Sequence, residues 1–346
     1  MGMVALYRGV GDTGRWRLCG RQWLRCLALI VLLASSGLLP GAVSAADRDR
    51  PFQIGALTVA WGPNPQVIGL RDGLLALGYR EDKDFVIGVR FTQGDVPALL
   101  AAARELAQLE ADLIFTDDAN STKAAQMATS RIPIVFAGGA DPLGAGLIQS
   151  FARPGGNITG VTDLGFELGP KRLQVFQELI PGLKRVLFPY DAANADAVTE
   201  ARGYRDAARR LGIGLVERAV QTQTEARTVL ATVQRGEVDG ILKQYSTSLN
   251  IPGFILETTA QRGLPSMFDG AFWVEQGGLA SYGPDFYETG RQAARLVDKI
   301  IKGAHPGELP VEVNPKIEFV INLKTAKILG LTIVPEVLYQ ADRLIR

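Results

Sequence analysis

From residue 52 onward, short apolar runs alternate with apolar residues at helical spacing, and the whole alternation occurs twice. This constrains the fold more than any other feature, because strand–helix–strand units close as parallel sheets with helices on both faces. The runs 52–59, 85–91, 113–116 and 132–137 read as buried strands. Between them, Val67, Leu70, Leu74 and Leu77 recur at helical spacing until Gly78 stops the pattern. Leu99, Leu100, Ala103, Leu106 and Leu109 mark a second helix, and 120–129 a third. At 153–162 (RPGGNITGVT) the pattern breaks in glycine and proline. It then restarts, with helices expected over 169–180, 195–211, 225–235 and 254–262, and strands over 185–189, 213–217, 240–244 and 265–268. A chain of 346 residues exceeds what one core usually supports, so two similar α/β lobes are expected. A helix over 286–301 and a strand over 317–321 remain after both series, which implies that the chain revisits each lobe.

The first 45 residues follow a different logic. Arg15, Arg17, Arg21 and Arg25 form a basic stretch, residues 26–39 (CLALIVLLASSGLL) an apolar one, and Val43-Ser44-Ala45 a small-residue cleavage site. This is the order of a secretory signal peptide, and the run is shorter than the roughly 20 residues that span a bilayer. Export to the periplasm with cleavage near Ala45 is the expectation; retention of the segment as an anchor is the alternative. Removing it takes away five basic residues and one acid, leaving 32 Lys+Arg against 35 Asp+Glu, a net of −3. That balance gives no electrostatic pull toward nucleic acid. Both cysteines, Cys19 and Cys26, lie in the same segment, so the remainder has neither a disulfide nor a thiol nucleophile.

The segments 277–303 (GGLASYGPDFYETGRQAARLVDKIIKG) and 309–342 (LPVEVNPKIEFVINLKTAKILGLTIVPEVLYQAD) resemble the ABC transporter substrate-binding family related to the tryptophan-binding TrpX proteins. So do 132–162 and 73–91, and the resemblance runs from about Ile54 to Asp342. It implies a type I periplasmic-binding-protein fold: two doubly wound parallel-sheet lobes joined by a three-crossing hinge. The crossings are expected near 157–162, 280–284 and 313–317. Lobe 1 is then 51–158 plus 284–312, and lobe 2 is 159–283 plus 313–346. The chain departs from the family after its third strand, where two carboxylates, Asp117 and Asp118, replace a stretch of small residues. An amino-acid ligand therefore does not follow from the resemblance.

In open α/β sheets the ligand sits beyond the carboxyl ends of the strands. That rule selects Trp61 and Asn64 after the first strand, and Asp117, Asn120, Ser121 and Thr122 after the third. The 120–122 stretch opens a helix, whose free N–H groups suit an anion or are simply capped by Asn or Ser. Asp141 follows the fourth strand, in an Asp-Pro turn that also serves as a plain turn opener. From the second series come Tyr190 and Asp191, Tyr245 and Ser246, and Phe268 and Asp269, an aromatic beside a polar group three times over. Tyr282 sits at an expected crossing. Each position has a structural alternative: a cap, a solvated loop carboxylate, or a packed ring.

Beyond residue 45 the sequence contains no GxGxxG, GxxxxGK[ST], GxSxG or HExxH. The single histidine, His305, lies in a loop, and with no cysteine beyond residue 45 a zinc site is not expected. The expectation is a monomeric, non-enzymatic receptor without cofactor or metal, delivering a small molecule to an ABC permease. The ligand classes in view are an amino acid, a nucleoside or base, and a small aromatic acid. A periplasmic sensor and an exported α/β hydrolase are the competing readings.

Overall fold

Apolar runs with no polar face form the strands. β1 (Phe52–Thr58), β3 (Leu113–Thr116) and β4 (Ile134–Ala137) are buried almost throughout, as central strands covered on both faces must be. The structure is a computed structural model that describes residues 50–346 apart from Trp61, Pro63, Ala140, Leu164 and Arg235. The expected export segment at 1–45 lies outside the described residues. No helix among the described residues is long and apolar enough to cross a membrane.

The first sheet adds β2 (Phe85–Phe91), β5 (Ile158–Thr162) and β11 (Glu312–Val313), in the order β11-β5-β4-β3-β1-β2. Its strands pair in parallel. Helices α1 (Pro65–Ala76), α2 (Ala98–Gln108) and α3 (Ala119–Ala128) make the first-lobe crossovers. The second sheet contains β6 (Arg185–Asp191), β7 (Gly214–Val220), β8 (Gly240–Leu242), β9 (Ser266–Phe268), β10 (Ala280–Pro284), β12 (Ile317–Asn322) and β13 (Arg343–Ile345). Its order is β13-β12-β10-β9-β8-β6-β7, with only the β10–β12 pair antiparallel. Five strands of each lobe thus follow the same doubly wound order, with a switch point between β1 and β3 in one and between β6 and β8 in the other. The helices of the second lobe are α4 (Gly169–Leu179), α5 (Ala195–Leu211), α6 (Gln223–Thr232), α7 (Ile251–Arg262) and the short α8 (Ala271–Glu275). After β10 come α9 (Phe286–Ile301), α10 (Leu323–Ile328) and α11 (Pro335–Gln340).

Three segments carry the chain between sheets: after β5, at Asp285 between β10 and α9, and between β11 and β12. β5 pairs with β4, so the chain leaves the first sheet after Thr162, slightly later than the expected division at 158. The glycines of 153–162 suggested a crossing, but only the residues before Ile158 form the irregular part. The crossings are bonded to one another. Asn314 Nδ2 donates to the Asp285 carbonyl at 3.0 Å and to Thr289 Oγ1 at 2.9 Å, and Asn314 N–H donates to the Thr162 carbonyl at 2.8 Å.

Helix α9 returns to the first lobe and packs on α1 with almost no side chain between them. A Cβ at Gly69 would lie 2.0 Å from the Tyr287 carbonyl oxygen, and one at Gly290 2.0 Å from that of Gln66. Glycine is required here for close approach, and this approach anchors the second crossing to the first lobe.

Candidate ligand-binding cleft

Both switch points open on one cavity of about 410 Å³, within the range of small-molecule sites. Val59, Ala60 and Asn64 enter after β1, Asp117–Asn120 after β3 and Gly139 after β4. Opposite them stand Asn194 and Asp196 after β6, and Tyr245, Ser246 and Asn250 between β8 and α7. Asp269, Phe272 and Trp273 follow β9, and Phe286 opens α9. The cavity combines a ring-lined apolar floor with carboxylates on both sides.

On the first-lobe side, Asp117 is held by two donors: Thr58 Oγ1 and Asn64 Nδ2 donate to its Oδ2 at 2.5 and 2.6 Å, and Ser121 Oγ, whose one proton goes to Asp118, lies 3.2 Å from its Oδ1. Asp118 caps α3: its Oδ1 accepts from Ser121 N–H and Oγ, both at 2.7 Å. Burial, and then repulsion by Asp118, pushes the Asp117 carboxyl up to about 7, and burial also raises Asp118. The second oxygen of Asp118 is buried without a hydrogen-bond partner.

On the second-lobe side, Lys243 is fully buried and its ammonium is used up. Nζ donates to Asp269 Oδ2 at 2.9 Å, to the Gln244 carbonyl at 2.7 Å and to the Tyr245 carbonyl at 2.9 Å. Asp269 is 2% exposed, and its Oδ1 has no partner, nor does Ser246 Oγ. The Trp273 ring lies 5.9 Å from the Lys243 ammonium and stacks on Phe268 with centroids 6.1 Å apart. Behind this wall, Arg172 is also fully buried. Nε donates to the Tyr282 carbonyl at 2.6 Å, Nη2 to the Gly165 carbonyl at 3.3 Å, and Nη1 to Tyr204 Oη at 2.7 Å and Glu200 at 3.5 Å. One guanidinium therefore ties the crossing after β5 and the strand β10 to α5. Glu200 in turn accepts the Tyr245 N–H at 2.7 Å. Tyr245 Oη donates to Asp163 at 2.8–2.9 Å and accepts from Gly139 N–H of the first lobe at 3.4 Å.

The sequence model of the ABC transporter substrate binding protein family matches residues 63–345. The chain belongs to that family. Among relatives, it is 26% identical to the tyrosine-binding protein of Clostridioides difficile (strain R20291), over 73% of each chain. It is 28% identical to a conserved domain protein of Vibrio cholerae of known structure, with a TM-score of 0.74 over 84% of this chain and 98% of that one. A Streptococcus pneumonia ABC domain solved with L-Trp is 26% identical, with a TM-score of 0.73 over 85% of this chain and 100% of that one. The fold is that of type I periplasmic binding proteins.

Of the positions expected to meet ligand in this family member, Asn64, Asp117, Asn120, Tyr245, Ser246 and Asp269 come together at the cavity wall. Trp61 lies outside the described residues. The other seven do not line the cavity. Ser121 and Thr122 are buried in the capping of α3, Thr122 Oγ1 bonding to the Asp118 carbonyl at 2.6 Å. The N–H groups of Ser121 and Thr122 are therefore already taken, by Asp118 Oδ1 and the Asp118 carbonyl. Asp141 accepts from Gly144 N–H at 2.7 Å and serves its own turn. Asp191 does the same for Ala193 N–H at 2.9 Å. Tyr190 stacks on Phe188, Phe268 is core, and Tyr282 packs edge-on against Phe319.

Phe272, Trp273, Phe286 and Asp196 at the wall were not among the positions expected to meet ligand, whereas Asp118 was named beside Asp117. The signal was present: each stands at or next to the start of the helix that follows a strand, one step beyond the strand ends considered.

The buried acids give the fold a pH dependence. Burial raises Asp163 to about 6 and Glu200 to about 7, from ordinary values of 3.8 and 4.5, alongside Asp117 at about 7. Through about pH 5–7 the folded chain keeps protons that the unfolded chain has lost, so stability falls as pH rises through that window. Tm measured from pH 5 to pH 8 should decline; a flat or rising profile would contradict this arrangement.

Proposed function

We propose that the chain is the extracytoplasmic receptor of an ABC importer, capturing a small solute with an amine and a ring-sized apolar body. The observation that carries this reading is the cavity between two doubly wound lobes. It is lined by Phe272, Trp273, Phe286 and Tyr245 and bordered by buried carboxylate oxygens without partners. A ring can lie against the indole, while an amine meets Asp118 and Asp269 from opposite lobes. Solute bridging both walls favours the closed form by the difference in its affinity for closed and open states. The permease then reads closure. The relatives named for tyrosine and solved with L-Trp support an aromatic amino acid or a close analogue. A small aromatic acid fits poorly, because four aspartates and no basic residue line the cavity among the described residues.

The delivery step is tested by uptake of radiolabelled tryptophan, tyrosine and related amines into cells with and without the chain. Uptake of one of them should fall at least tenfold in its absence and return on complementation. Unchanged uptake of every probe would defeat the importer assignment.

A further inference from the structure

We infer that Tyr245 is a positioning residue that latches the two lobes together before a solute arrives. The latch is built from the chain's own groups, so the inference goes beyond the importer reading.

The main chain of Tyr245 belongs to the second lobe. Its N–H donates to Glu200 at 2.7 Å, and its carbonyl accepts from Lys243 Nζ at 2.9 Å. Both partners are buried in that lobe. The side chain crosses to the other lobe. Its hydroxyl donates to the two oxygens of Asp163, at 2.9 and 2.8 Å, and accepts from Gly139 N–H at 3.4 Å. Asp163 directly follows β5, and Gly139 lies two residues beyond β4. These two positions are fixed to each other on the first sheet. Thr162 Oγ1 donates to the Gly139 carbonyl at 2.5 Å, and Gly138 N–H donates to the Val161 carbonyl at 2.8 Å.

The ring is held too tightly to follow an opening lobe by rotating. A Cβ at Gly165 would lie 2.0 Å from its Cε2, and Phe166 meets it edge-on with centroids 5.1 Å apart. Separating the lobes therefore breaks a hydrogen bond to a carboxylate that is 2% exposed, and bonds to charged acceptors are the strong ones. The same ring lines the cavity and lies 6.3 Å from the ring of Phe286, the first residue past the second crossing. A solute seated on Tyr245 thus touches a group packed against two of the three crossings.

A latch of this kind lowers the open fraction through which a solute enters, and it raises the affinity once the solute is inside. Removing it should speed association and weaken binding together. Loss of a ligand contact, or plain destabilisation, does not produce that pairing.

Tyr245→Phe keeps the ring and removes the hydroxyl. Small-angle scattering of the solute-free variant should give a larger radius of gyration than wild type. An unchanged radius in a variant with wild-type Tm overturns the inference and leaves the importer reading untouched, because this measurement uses no solute. Should Tyr245→Phe fail to fold, Asp163→Asn carries the same test. It keeps an oxygen for Gly165 N–H, which donates to Asp163 at 2.9 Å, and removes the charge that draws the hydroxyl. An unchanged radius there overturns the inference equally. Stopped-flow binding of L-tyrosine and of tyramine, followed by tryptophan fluorescence, should show faster association to Tyr245→Phe, with Kd raised about tenfold as the closed fraction falls. Weaker binding with unchanged or slower association would mark the hydroxyl as a solute contact and overturn the latch.

Discussion

Arg172→Met should lower stability by about 3–5 kcal/mol, the range for breaking a buried ion pair and leaving one partner uncompensated. For a folded part of about 300 residues that corresponds to a fall in Tm of roughly 5–8 °C. The arginine is fully buried, and its loss strands Glu200, also buried, together with Tyr204 Oη and the carbonyls of Gly165 and Tyr282. Gly165 belongs to the crossing after β5 and Tyr282 to β10, just before the second crossing, so the damage extends beyond one contact. Adding Glu200→Gln to Arg172→Met should recover part of the deficit above about pH 7, where Glu200 would otherwise ionise without its partner, and little below it, where burial keeps the carboxyl protonated. Denaturant titration of wild type, single and double variants checks both statements. A single variant within about 1 kcal/mol of wild type, below the lower bound for a broken buried pair, would show that the guanidinium does not hold the hinge.

Asp269→Asn should reduce both stability and solute binding, and the two effects separate. Lys243 is fully buried, and loss of its counter-charge places an unpaired ammonium in the second-lobe core, at a cost of about 3–5 kcal/mol. Burial already pulls the pKa of Lys243 below that of an ordinary lysine. In the variant, the folded state sheds this proton more readily than the unfolded one, so the deficit should shrink as pH rises toward 9. The paired change Lys243→Met with Asp269→Leu removes both charges and should restore most of the stability. Binding should stay at least tenfold weaker in both, since the negative charge that would meet the amine is gone from each and the acceptor as well from the double variant. Full affinity in the restored double variant would remove Asp269 from the site.

The alternation that made the fold legible is a consequence of burial: strands covered on both faces have no polar register, and every crossover helix shows its apolar spacing. β11 and β13, with two and three residues, leave no such pattern, and α8 has only five. β5 was legible only as a short extended end to the glycine-rich stretch that precedes it. At the cleft, the strand-end rule reached the correct loops but could not give side-chain direction. Asp117 and Ser121 stand in the same short segment, yet one carboxylate lines the cavity and the hydroxyl beside it caps a helix. The buried cations were invisible for a different reason. Arg172 sits on a helix and Lys243 directly follows an apolar strand run, at positions where a charge normally marks solvent, and only the fold shows the partners that make their burial tolerable.

The central claim is that this cavity captures a ring-bearing solute. Equilibrium titration of the chain and of Trp273→Ala, with L-tryptophan, L-tyrosine, tryptamine and tyramine, tests it most directly. The indole is half-buried at the cavity wall, so its removal should leave the fold in place. At least one probe should saturate the wild-type chain at a single site, and Trp273→Ala should weaken that binding at least tenfold. No saturable binding by any probe, or equal affinity in the two proteins, would contradict the account.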